Sequence, residues 1–312
     1  MSGAAPAAAP GRVLVTGANG SLGRALLARL AGSRTAARAL VRSERAAAGV
    51  RALPAAPEVV TADYRDAAAL GAAAAGCSAV VHLVGILKES PGTSYEDAHE
   101  GSARALAAAA IGAGCQRAVY LSILGASVGA ANACLASKAR AEAILLAPPL
   151  RTTVLRVPMV LGGDDPASTA LRARARARFA PLVRGGAALE QPIDAADVVE
   201  AIVAALARPA LAGRVLELAG PESLPRHALV RRTAALAGAP APTVLPIPLA
   251  AARLFAALAE RLATNPPLTP AMLGVLEHDD SVDPAPACRA LGIELTALDT
   301  TLRRCLAGAR GA

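Results

Sequence analysis

The feature that most constrains the fold of this chain is a glycine-rich turn between an apolar run and an amphipathic run. Residues 12–24 read RVLVTGANGSLGR. Gly17 allows a tight turn, Gly20 lets backbone N–H groups approach a pyrophosphate, and Gly23 lets a helix pack closely on a strand. The helix start adds the positive end of its dipole. The predicted dinucleotide contacts here are Gly17, Asn19, Gly20, Ser21, Leu22 and Gly23.

Short β-rich runs alternate with helical runs through the first two-thirds of the chain. The predicted strands are 12–16, 38–41, 58–61, 79–84, 117–121, 152–157 and 215–218. The predicted helices are 21–31, 66–75, 95–113, 131–146 and 195–207. This alternation predicts an α/β fold, a doubly wound parallel Rossmann sheet of about seven strands. A strand before the glycine turn and a helix after it favour a ligand site over a purely structural turn.

The pattern changes after Gly220, where prolines interrupt the helical runs. The predicted helices there are 224–237, 249–263, 270–276 and 295–306. They predict a smaller, mostly helical C-terminal cap over the crevice at the carboxyl ends of the strands. The expected division is a disordered tail at 1–10, an NAD(P)-binding Rossmann domain at 11–220 and a helical substrate or partner cap at 221–312, with 165–190 partly contributing to the cap.

The residues after the second predicted strand bear on the choice of dinucleotide. An NAD(H) site usually has an acidic residue there, which accepts a hydrogen bond from the ribose 2′-OH. This chain has Arg42 and Ser43 instead. An arginine can pair with a 2′-phosphate, and Ser43 can donate a further hydrogen bond. We therefore expect NADP(H) in preference to NAD(H), the alternative being an ordinary solvated arginine.

Two further strand ends are expected to line the same cofactor site. Asp63 and Tyr64 follow the third strand, where a carboxylate can accept a hydrogen bond from the adenine amine. The fourth strand ends at the switch point of the sheet, with Leu83, Val84 and Gly85 as its contacts. His82 lies within an apolar run, so we expect a hydrogen-bonded core histidine and not a catalytic one.

The composition limits which binding partners and which cellular compartment we expect for this protein. The net charge of +8 favours anionic partners, but aromatic residues are 2% of the chain and Trp is absent. Because base stacking needs aromatic side chains among the basic ones, nucleic-acid binding is not expected. Five scattered cysteines without a CxxC fit a reducing compartment and no metal site. Uncharged stretches at 67–87 and 118–137 contain glycine and polar residues, so we expect a cytoplasmic protein without a membrane span.

These motifs resemble the extended and atypical short-chain dehydrogenase/reductase superfamily over most of the chain. The matching segments are the TGxxGxxG turn at 16–23, Asp63, the strand end at 82–85, RVPM at 156–159 and QPIDAADV at 191–198. VHLVGI at 81–86, EQPI at 190–193 and NPPLT at 265–269 are most similar to one branch. That branch contains the NADPH-binding accessory subunit of respiratory complex I and its bacterial relatives.

The resemblance implies an active site built from a serine and a Tyr-x-x-x-Lys pair. In the superfamily the tyrosine is the general acid and base, the lysine binds the nicotinamide ribose, and the serine polarises the carbonyl. The corresponding residues here are Ser122, Lys138 and, at the tyrosine position, Cys134. The RVPM segment adds Val157 and Pro158 as cofactor contacts. A cysteine sulfur ends short of the position of a tyrosine oxygen, so the resemblance predicts an impaired site.

Three functions are consistent with these residues. The first is an oxidoreductase or epimerase-like enzyme for a small apolar carbonyl compound or a quinone, with Ser122, Lys138 and water moving the proton. The second is a non-catalytic NADPH-binding scaffold of a larger complex. The third is an NADP(H) redox sensor. Tyr95 and Tyr120 could replace the missing tyrosine only if the fold brings one into the cleft.

Two surface features remain open at the level of sequence. The run RARARAR at 172–178 is expected to be a solvated helix face, the alternatives being a diphosphate or an acidic membrane. The helix at 249–263 is amphipathic, with Leu254, Leu258 and Leu262 four residues apart. We expect these leucines to form the core of the cap, and contact with a partner protein or a membrane surface is the alternative.

Overall fold

The computed structural model describes residues 11–308, so the tail expected at 1–10 lies outside the described residues. The strands, in chain order, are β1 Val13–Thr16, β2 Ala37–Val41, β3 Glu58–Thr61, β4 Ala79–His82, β5 Arg117–Ile123, β6 Arg151–Val157, β7 Val160–Leu161, β8 Phe179–Val183, β9 Leu189–Glu190, β10 Ile193–Asp194, β11 Val215–Glu217, β12 Leu224–Pro225 and β13 Thr243–Ile247. The α-helices are α1 Ser21–Gly32, α2 Glu44–Arg51, α3 Ala67–Ala74, α4 Ser102–Gly112, α5 Ala133–Leu146, α6 Pro166–Arg176, α7 Ala195–Ala207, α8 Arg226–Leu236, α9 Leu249–Leu262, α10 Pro270–Leu276, α11 Ala285–Leu291 and α12 Leu298–Ala307.

Seven parallel strands form the central sheet, in the order β11-β6-β5-β4-β1-β2-β3. These are the seven predicted strands, and the doubly wound Rossmann sheet is confirmed. The chain leaves β1 towards β2 and β3 on one side and returns to β4, β5 and β6 on the other. The strand order therefore reverses between β1 and β4, where such sheets bind their ligands.

Helices cover both faces of the sheet, which explains why its strands are apolar on both sides. On one face α1, α2, α7 and α11 pack on alternate strand residues such as Val15 and Val81. On the other face α3, α4 and α5 pack on Leu14, Val80 and Tyr120. Alanines on these helices, with few large side chains, let helix and sheet approach closely. The low aromatic content of the chain follows from this packing.

Side-chain caps fix where several of these helices begin. Asp66 accepts hydrogen bonds from the backbone N–H groups of Ala68 and Ala69 at the start of α3. Asn132 does the same for Cys134 and Leu135 at the start of α5. Each cap satisfies donors that the helix itself leaves unpaired. The helix predicted at 95–113 contains an irregular turn, since Glu96–Gly101 is π-helical and α4 follows it.

The C-terminal region is mostly helical and has a hydrophobic core of its own. Leu171 of α6 and Leu182 of β8 join Leu229 of α8 and Leu302 of α12 in this core. Several elements were not predicted, among them β8, β13 and α11. β8 pairs in parallel with β13, and α11 packs on the sheet beside α7. The boundaries of the domains stay a prediction.

The expectation for α9 is wrong. Only Ala252 and Ala256 of this helix are buried. Its large apolar side chains are exposed, Leu254 by 62%, Phe255 by 55%, Leu258 by 46% and Leu262 by 85%. The four-residue spacing of the leucines marks an apolar face, but the alanine face packs against the protein and the leucine face does not. We call Leu254, Phe255, Leu258 and Leu262 the α9 apolar face.

The arginine run at 172–178 is only partly the solvated helix face that we expected. The helix α6 ends at Arg176. Arg172 is half-buried and donates to the carbonyl oxygens of Gly163 and, at 2.7 Å, of Cys305, so it ties α6 to the end of α12. Across residues 11–308, no helix combines the length and the apolar character needed to span a membrane.

Candidate functional site

The glycine turn between β1 and α1 has the geometry expected of a phosphate cradle. Gly17 has a φ of +70°, which side-chain-bearing residues rarely adopt. A Cβ on Gly23 would lie 2.5 Å from the carbonyl oxygen of Gly17, so a glycine is needed for α1 to pack on the turn. The cap residue Gly20 supplies no side-chain cap for α1. The first N–H groups of this helix are therefore available to an anion.

Tyr64 fixes the position of this turn relative to the second strand. Its hydroxyl accepts from the backbone N–H of Gly17 at 3.1 Å and donates to the carbonyl oxygen of Leu40 at 3.2 Å. The ring is buried, and burial raises the pKa of Tyr64. Because the Gly17 N–H is already bonded to Tyr64, the N–H groups left for a pyrophosphate are those further along the turn.

One cleft of about 320 Å³ opens over the glycine turn. Most of the residues that the sequence assigned to the cofactor line it together. They are Gly17, Asn19, Gly20, Arg42, Ser43, Asp63, Tyr64, Leu83, Val84 and Gly85. Ile86, Arg65 and Asp97 also line it and were not expected. A glycine cradle, free helix N–H groups and a strand-order reversal at one cleft fit a dinucleotide.

The remaining expected cofactor residues lie beside this cleft, not in its lining. Ser21, Leu22 and Gly23 form the first turn of α1, which has no side-chain cap. Val157 and Pro158 are buried at the end of β6, and the N–H of Leu124 donates to the Val157 carbonyl oxygen.

At the ribose end, Arg42 is exposed and its guanidinium lies 5.8 Å from the centre of the Tyr64 ring. The Ser43 hydroxyl accepts from the N–H of Ala46 and caps α2, which leaves its own proton free to donate. The acidic neighbour, Glu44, accepts from Thr61 and Arg51 and is held by them. The cleft is therefore lined by a cation at the position where NAD(H) sites have an acid.

A second depression of about 300 Å³ adjoins the cleft and shares Asn19 and Ser43 with it. Arg24 and Arg45 line this depression, and the sequence analysis assigned neither to the site. Arg24 directly follows the third glycine of the turn and Arg45 follows Ser43 by two positions, so proximity to the motifs could have indicated both. Arg42 thus lines the main cleft, and Arg24 and Arg45 line the depression beside it.

Asp63 has a local partner at the adenine end. Its carboxylate accepts from the backbone N–H and the guanidinium of Arg65, at 2.9, 3.3 and 3.2 Å. These hydrogen bonds lower the pKa of Asp63, so the group is a carboxylate at neutral pH. An adenine amine could donate to the Asp63 carboxylate only at the lone pairs that Arg65 does not use.

His82 is a core residue, as its apolar setting indicated. Nδ1 lies 2.7 Å from the Thr16 hydroxyl and Nε2 lies 3.2 Å from the Ser102 hydroxyl. Ser102 in turn donates to the carbonyl oxygen of Ala98. Burial lowers the pKa of His82 to about 3, so the ring is neutral and joins β1, β4 and α4. It has no free nitrogen for catalysis.

Lys138 lies under the loop that follows β4. Its ammonium donates to the carbonyl oxygen of Leu121 at 3.1 Å and lies 4.7 Å from the centre of the Tyr120 ring. A Cβ on Gly85 would lie 2.8 Å from Nζ, so Gly85 leaves room for this lysine. Burial lowers the pKa of Lys138 to about 8. The ammonium thus lies beside Gly85, a residue of the loop that lines the cleft.

His99 holds the same loop from the π-helical turn. Its Nε2 accepts from the backbone N–H of Ile86 at 3.1 Å, which leaves the proton on Nδ1. That Nδ1 is buried and has no partner among residues 11–308. Burial lowers the pKa of His99 to about 3, so the ring is neutral. Sequence reasoning missed this residue because no motif marks it.

Cys134, which the resemblance places at the tyrosine position, lies on α5 and is not an exposed nucleophile. The side chain is buried, and its thiol lies 3.6 Å from the carbonyl oxygen of Ile86. Burial raises the pKa of Cys134 to about 11, so the group is a neutral thiol at neutral pH. It contacts the loop that lines the cleft.

Neither tyrosine that could have taken this role opens into the cleft. The Tyr95 hydroxyl donates to the Leu87 carbonyl oxygen at 2.8 Å, and Tyr120 is fully buried. Burial raises the pKa of both groups. The Ser122 hydroxyl near the end of β5 is also buried, and among residues 11–308 neither it nor the Tyr120 hydroxyl has a hydrogen-bond partner.

A family of sequences described as NAD(P)H-binding matches residues 17–209, which is more than half of the chain. The chain belongs to this NAD(P)H-binding family. The expected resemblance is confirmed, since the protein is an atypical member of the short-chain dehydrogenase/reductase superfamily. The family binds a nicotinamide dinucleotide, which agrees with the glycine cradle and the cleft above it.

Several curated proteins are similar to part of the chain. Subunit 9 of the NADH dehydrogenase [ubiquinone] 1 alpha subcomplex from Arabidopsis thaliana mitochondria is 34% identical over 173 residues, which are 54% of this chain and 42% of that protein. The ceramide reductase of Caulobacter vibrioides is 31% identical over 50% of this chain and 49% of that protein. A ketoreductase of a farnesylated quinoline oxide from Stigmatella aurantiaca is 32% identical over 50% and 52%. The matches span about half the length of these relatives.

Solved structures share the fold over nearly the whole chain. A nucleoside-diphosphate-sugar epimerase from Pseudomonas aeruginosa superposes with a TM-score of 0.72 at 23% identity, covering 95% of this chain and 96% of that one. One from Staphylococcus aureus gives a TM-score of 0.73 at 17% identity, covering 94% and 99%. At these identities the likeness shows the fold alone.

Proposed function

We propose that this protein is an NADP(H)-dependent reductase of a small apolar carbonyl compound or a quinone. The observation that carries the proposal is the buried, unpartnered hydroxyl of Ser122 at the carboxyl end of β5. It is next in sequence to Leu121, whose carbonyl oxygen binds Lys138. A buried polar group normally has a partner, and a substrate oxygen would supply one. A scaffold that only holds a dinucleotide has no need of this group.

The arginines at the ribose end support NADP(H) as the dinucleotide. Arg42 lines the main cleft, and Arg24 and Arg45 line the depression beside it. Arginine and phosphate form strong charge-assisted hydrogen bonds. The one carboxylate that directly follows Ser43, Glu44, is bonded to Thr61 and Arg51. The expected cytoplasmic location stays part of this proposal.

The substrate class rests on the cap and on the relatives. Two of the partial relatives are named as reductases, one of ceramide and one of a farnesylated quinoline oxide. Both names describe apolar molecules. The cap is rich in alanine and leucine, as such a substrate would require.

In the proposed reaction each of these residues has its own role. When bound, the reduced dinucleotide supplies the hydride. Lys138 holds the ribose hydroxyls, Ser122 donates a hydrogen bond to the substrate oxygen, and the neutral thiol of Cys134 packs where a tyrosine is usual. The lowered pKa of Lys138, about 8, places proton exchange at that amine close to neutral pH.

The dinucleotide part of the proposal is tested by measuring NADPH and NADH dissociation constants calorimetrically. Losing one charge-assisted contact of about 1.5–3 kcal/mol, Arg42→Ala should weaken NADPH binding about 10- to 100-fold. NADH binding should change little. Arg214→Ala, an exposed arginine at the opposite end of the sheet, is the matched control. Equal losses for the two dinucleotides would remove the argument for the 2′-phosphate.

A second candidate is a non-catalytic NADPH-binding subunit of a larger complex. The observation in its favour is the α9 apolar face, since exposed apolar patches often mark interaction sites. One partial relative is named as a subunit of a dehydrogenase complex. Turnover decides between the two, because oxidation of NADPH by the unmodified chain with an apolar quinone excludes a pure scaffold.

A further inference from the structure

A histidine–carboxylate pair lies at the edge of the cap, outside the motifs of the cofactor site. His278 follows α10 by two residues, and its Nδ1 lies 3.2 Å from Oδ1 of Asp280. A carboxylate that accepts from Nδ1–H leaves Nε2 as the nitrogen that exchanges protons. In residues 11–308 no hydrogen bond of His278 Nε2 is found, and the ring is half-buried.

The free nitrogen lies against the turn that ends β5. Gly125 has a φ of +75°, and a Cβ there would lie 2.4 Å from Nε2 of His278. Gly125 is three residues after Ser122, in a turn closed by the Ala126 N–H and the Ile123 carbonyl oxygen. A side chain at position 125 would occupy the space of the imidazole. The fold thus brings a cap histidine to the end of the strand that carries Ser122.

Contacts on both sides hold this histidine in place. Before it, Asn132 donates to the Ala271 carbonyl oxygen at 2.8 Å, which docks α10 on the start of α5. After it, the Asp280 N–H donates to the Leu189 carbonyl oxygen at 3.0 Å, and Asp279 accepts from the Leu189 N–H at 2.8 Å. The histidine is therefore fixed between two anchored segments and is not on a free loop.

The proposed reduction also needs a group that gives a proton to the substrate oxygen. The thiol of Cys134 is directed at the Ile86 carbonyl oxygen, and Tyr95 is bonded to Leu87. The Ser122 hydroxyl can polarise a carbonyl but is a poor acid, and Lys138 is buried beneath the loop after β4. None of these is an imidazole beside the turn that ends β5, where His278 lies.

We propose that His278, oriented by Asp280, gives the proton to the carbonyl oxygen of the substrate. The inference rests on the proposed reductase function. The hydride brings two electrons to the carbonyl carbon, and the electron pair of the C=O π bond moves to oxygen. The Nε2–H bond of the imidazolium breaks and its proton joins that oxygen, giving an alcohol and an oxidised dinucleotide. Solvent returns the proton to His278 through the exposed part of the ring.

The test uses NADPH and 9,10-phenanthrenequinone, an apolar dicarbonyl probe, with the full chain. Loss of an acid–base group should lower kcat of His278→Gln about 10²- to 10⁴-fold, with KM and the NADPH dissociation constant nearly unchanged. Asp280→Asn should lower kcat as well, since the imidazole loses its orienting acceptor. His227→Gln, whose Nδ1 lies 3.0 Å from the Gly186 carbonyl oxygen in the cap, is the matched control and should keep full turnover.

Chemical rescue separates proton transfer from a structural role. Added imidazole should restore part of kcat to His278→Ala, because the deleted ring leaves a space open to solvent. It should do nothing for His278→Gln. A variant that is merely unstable would not respond to imidazole, and its NADPH affinity would fall together with kcat.

A readout without turnover completes the test. In the dead-end complex with NADP⁺ and the quinone, the NMR signal of the His278 ring should shift while that of His227 does not. An unchanged His278 signal, or wild-type turnover in His278→Gln, overturns the role of His278 and leaves the reductase intact. If the unmodified chain binds NADPH but never oxidises it, the reductase proposal falls together with this one and the cofactor site alone stands.

Discussion

At the scale of single residues, the least ordinary group is the ammonium of Lys138. It is buried between α5 and the sheet with one backbone acceptor, the Leu121 carbonyl oxygen, and an aromatic ring beside it. Its helix neighbour Glu142 does not neutralise it, since that carboxylate is paired bidentately with Arg156. Desolvation therefore dominates and lowers the pKa of Lys138 to about 8.

This burial makes stability depend on pH. The unfolded lysine has a pKa of 10.5 and the folded one about 8, so between these values the unfolded chain binds the extra proton. Stability should therefore rise as the pH increases from about 8 to about 10.5. At pH 7, Lys138→Met should be about 1–3 kcal/mol more stable than the wild type, and this advantage should shrink towards pH 10. Urea unfolding at each pH measures it, and a constant difference would contradict the assigned pKa.

The sequence reveals residues that belong to local motifs and hides those that depend on distant contacts. Arg42 was found because it follows a strand at a position with a known role. The structural bonds of Tyr64 to Gly17 and Leu40 were not, since they join three separate segments. His278 lies against Gly125 although about half of the chain separates them, and no local pattern of residues indicates such a contact.

At the scale of elements, the strands of the sheet were predictable and the burial of α9 was not. A parallel strand covered on both faces must be apolar throughout, so residues such as those of β4 are recognisable by themselves. A helix offers two faces to a partner. In α9 the alanine face packs on α10 while the leucine face is exposed, and the periodicity is the same for either arrangement. The pairing of β8 with β13 was missed because each strand contains a proline, Pro181 or Pro246, and the two strands lie far apart in the chain.

The exposed face of α9 can be tested by substitution. Leu262 is 85% exposed, so Leu262→Lys should change the free energy of unfolding by no more than about 0.5 kcal/mol. Ala256 is fully buried on the same helix, so Ala256→Leu should destabilise the protein by about 1–3 kcal/mol through overpacking. Urea denaturation of both variants measures these changes in the free energy of unfolding. A large loss in Leu262→Lys would mean that the leucines are packed after all.

At the scale of the whole molecule, cofactor and cap are held by different parts of the chain. The residues lining the dinucleotide cleft all lie between Gly17 and Ser102. The cap approaches the sheet near the substrate end through α10, which packs on the start of α5. A change that moves the cap should therefore leave the cofactor site intact.

A substitution at Gly274 of α10 tests whether the position of the cap and the cofactor site are independent. A Cβ there would lie 2.4 Å from Nδ2 of Asn132, the side chain that bonds Ala271 and also caps α5. Gly274→Val should displace Asn132, so hydrogen exchange should accelerate in α10 and the first turn of α5, while NADPH affinity stays within about twofold. Gly71→Val in α3, where a Cβ meets nothing within 4 Å, is the control and should leave exchange in both segments unchanged. A tenfold loss of NADPH affinity in Gly274→Val would show instead that the position of the cap shapes the dinucleotide cleft.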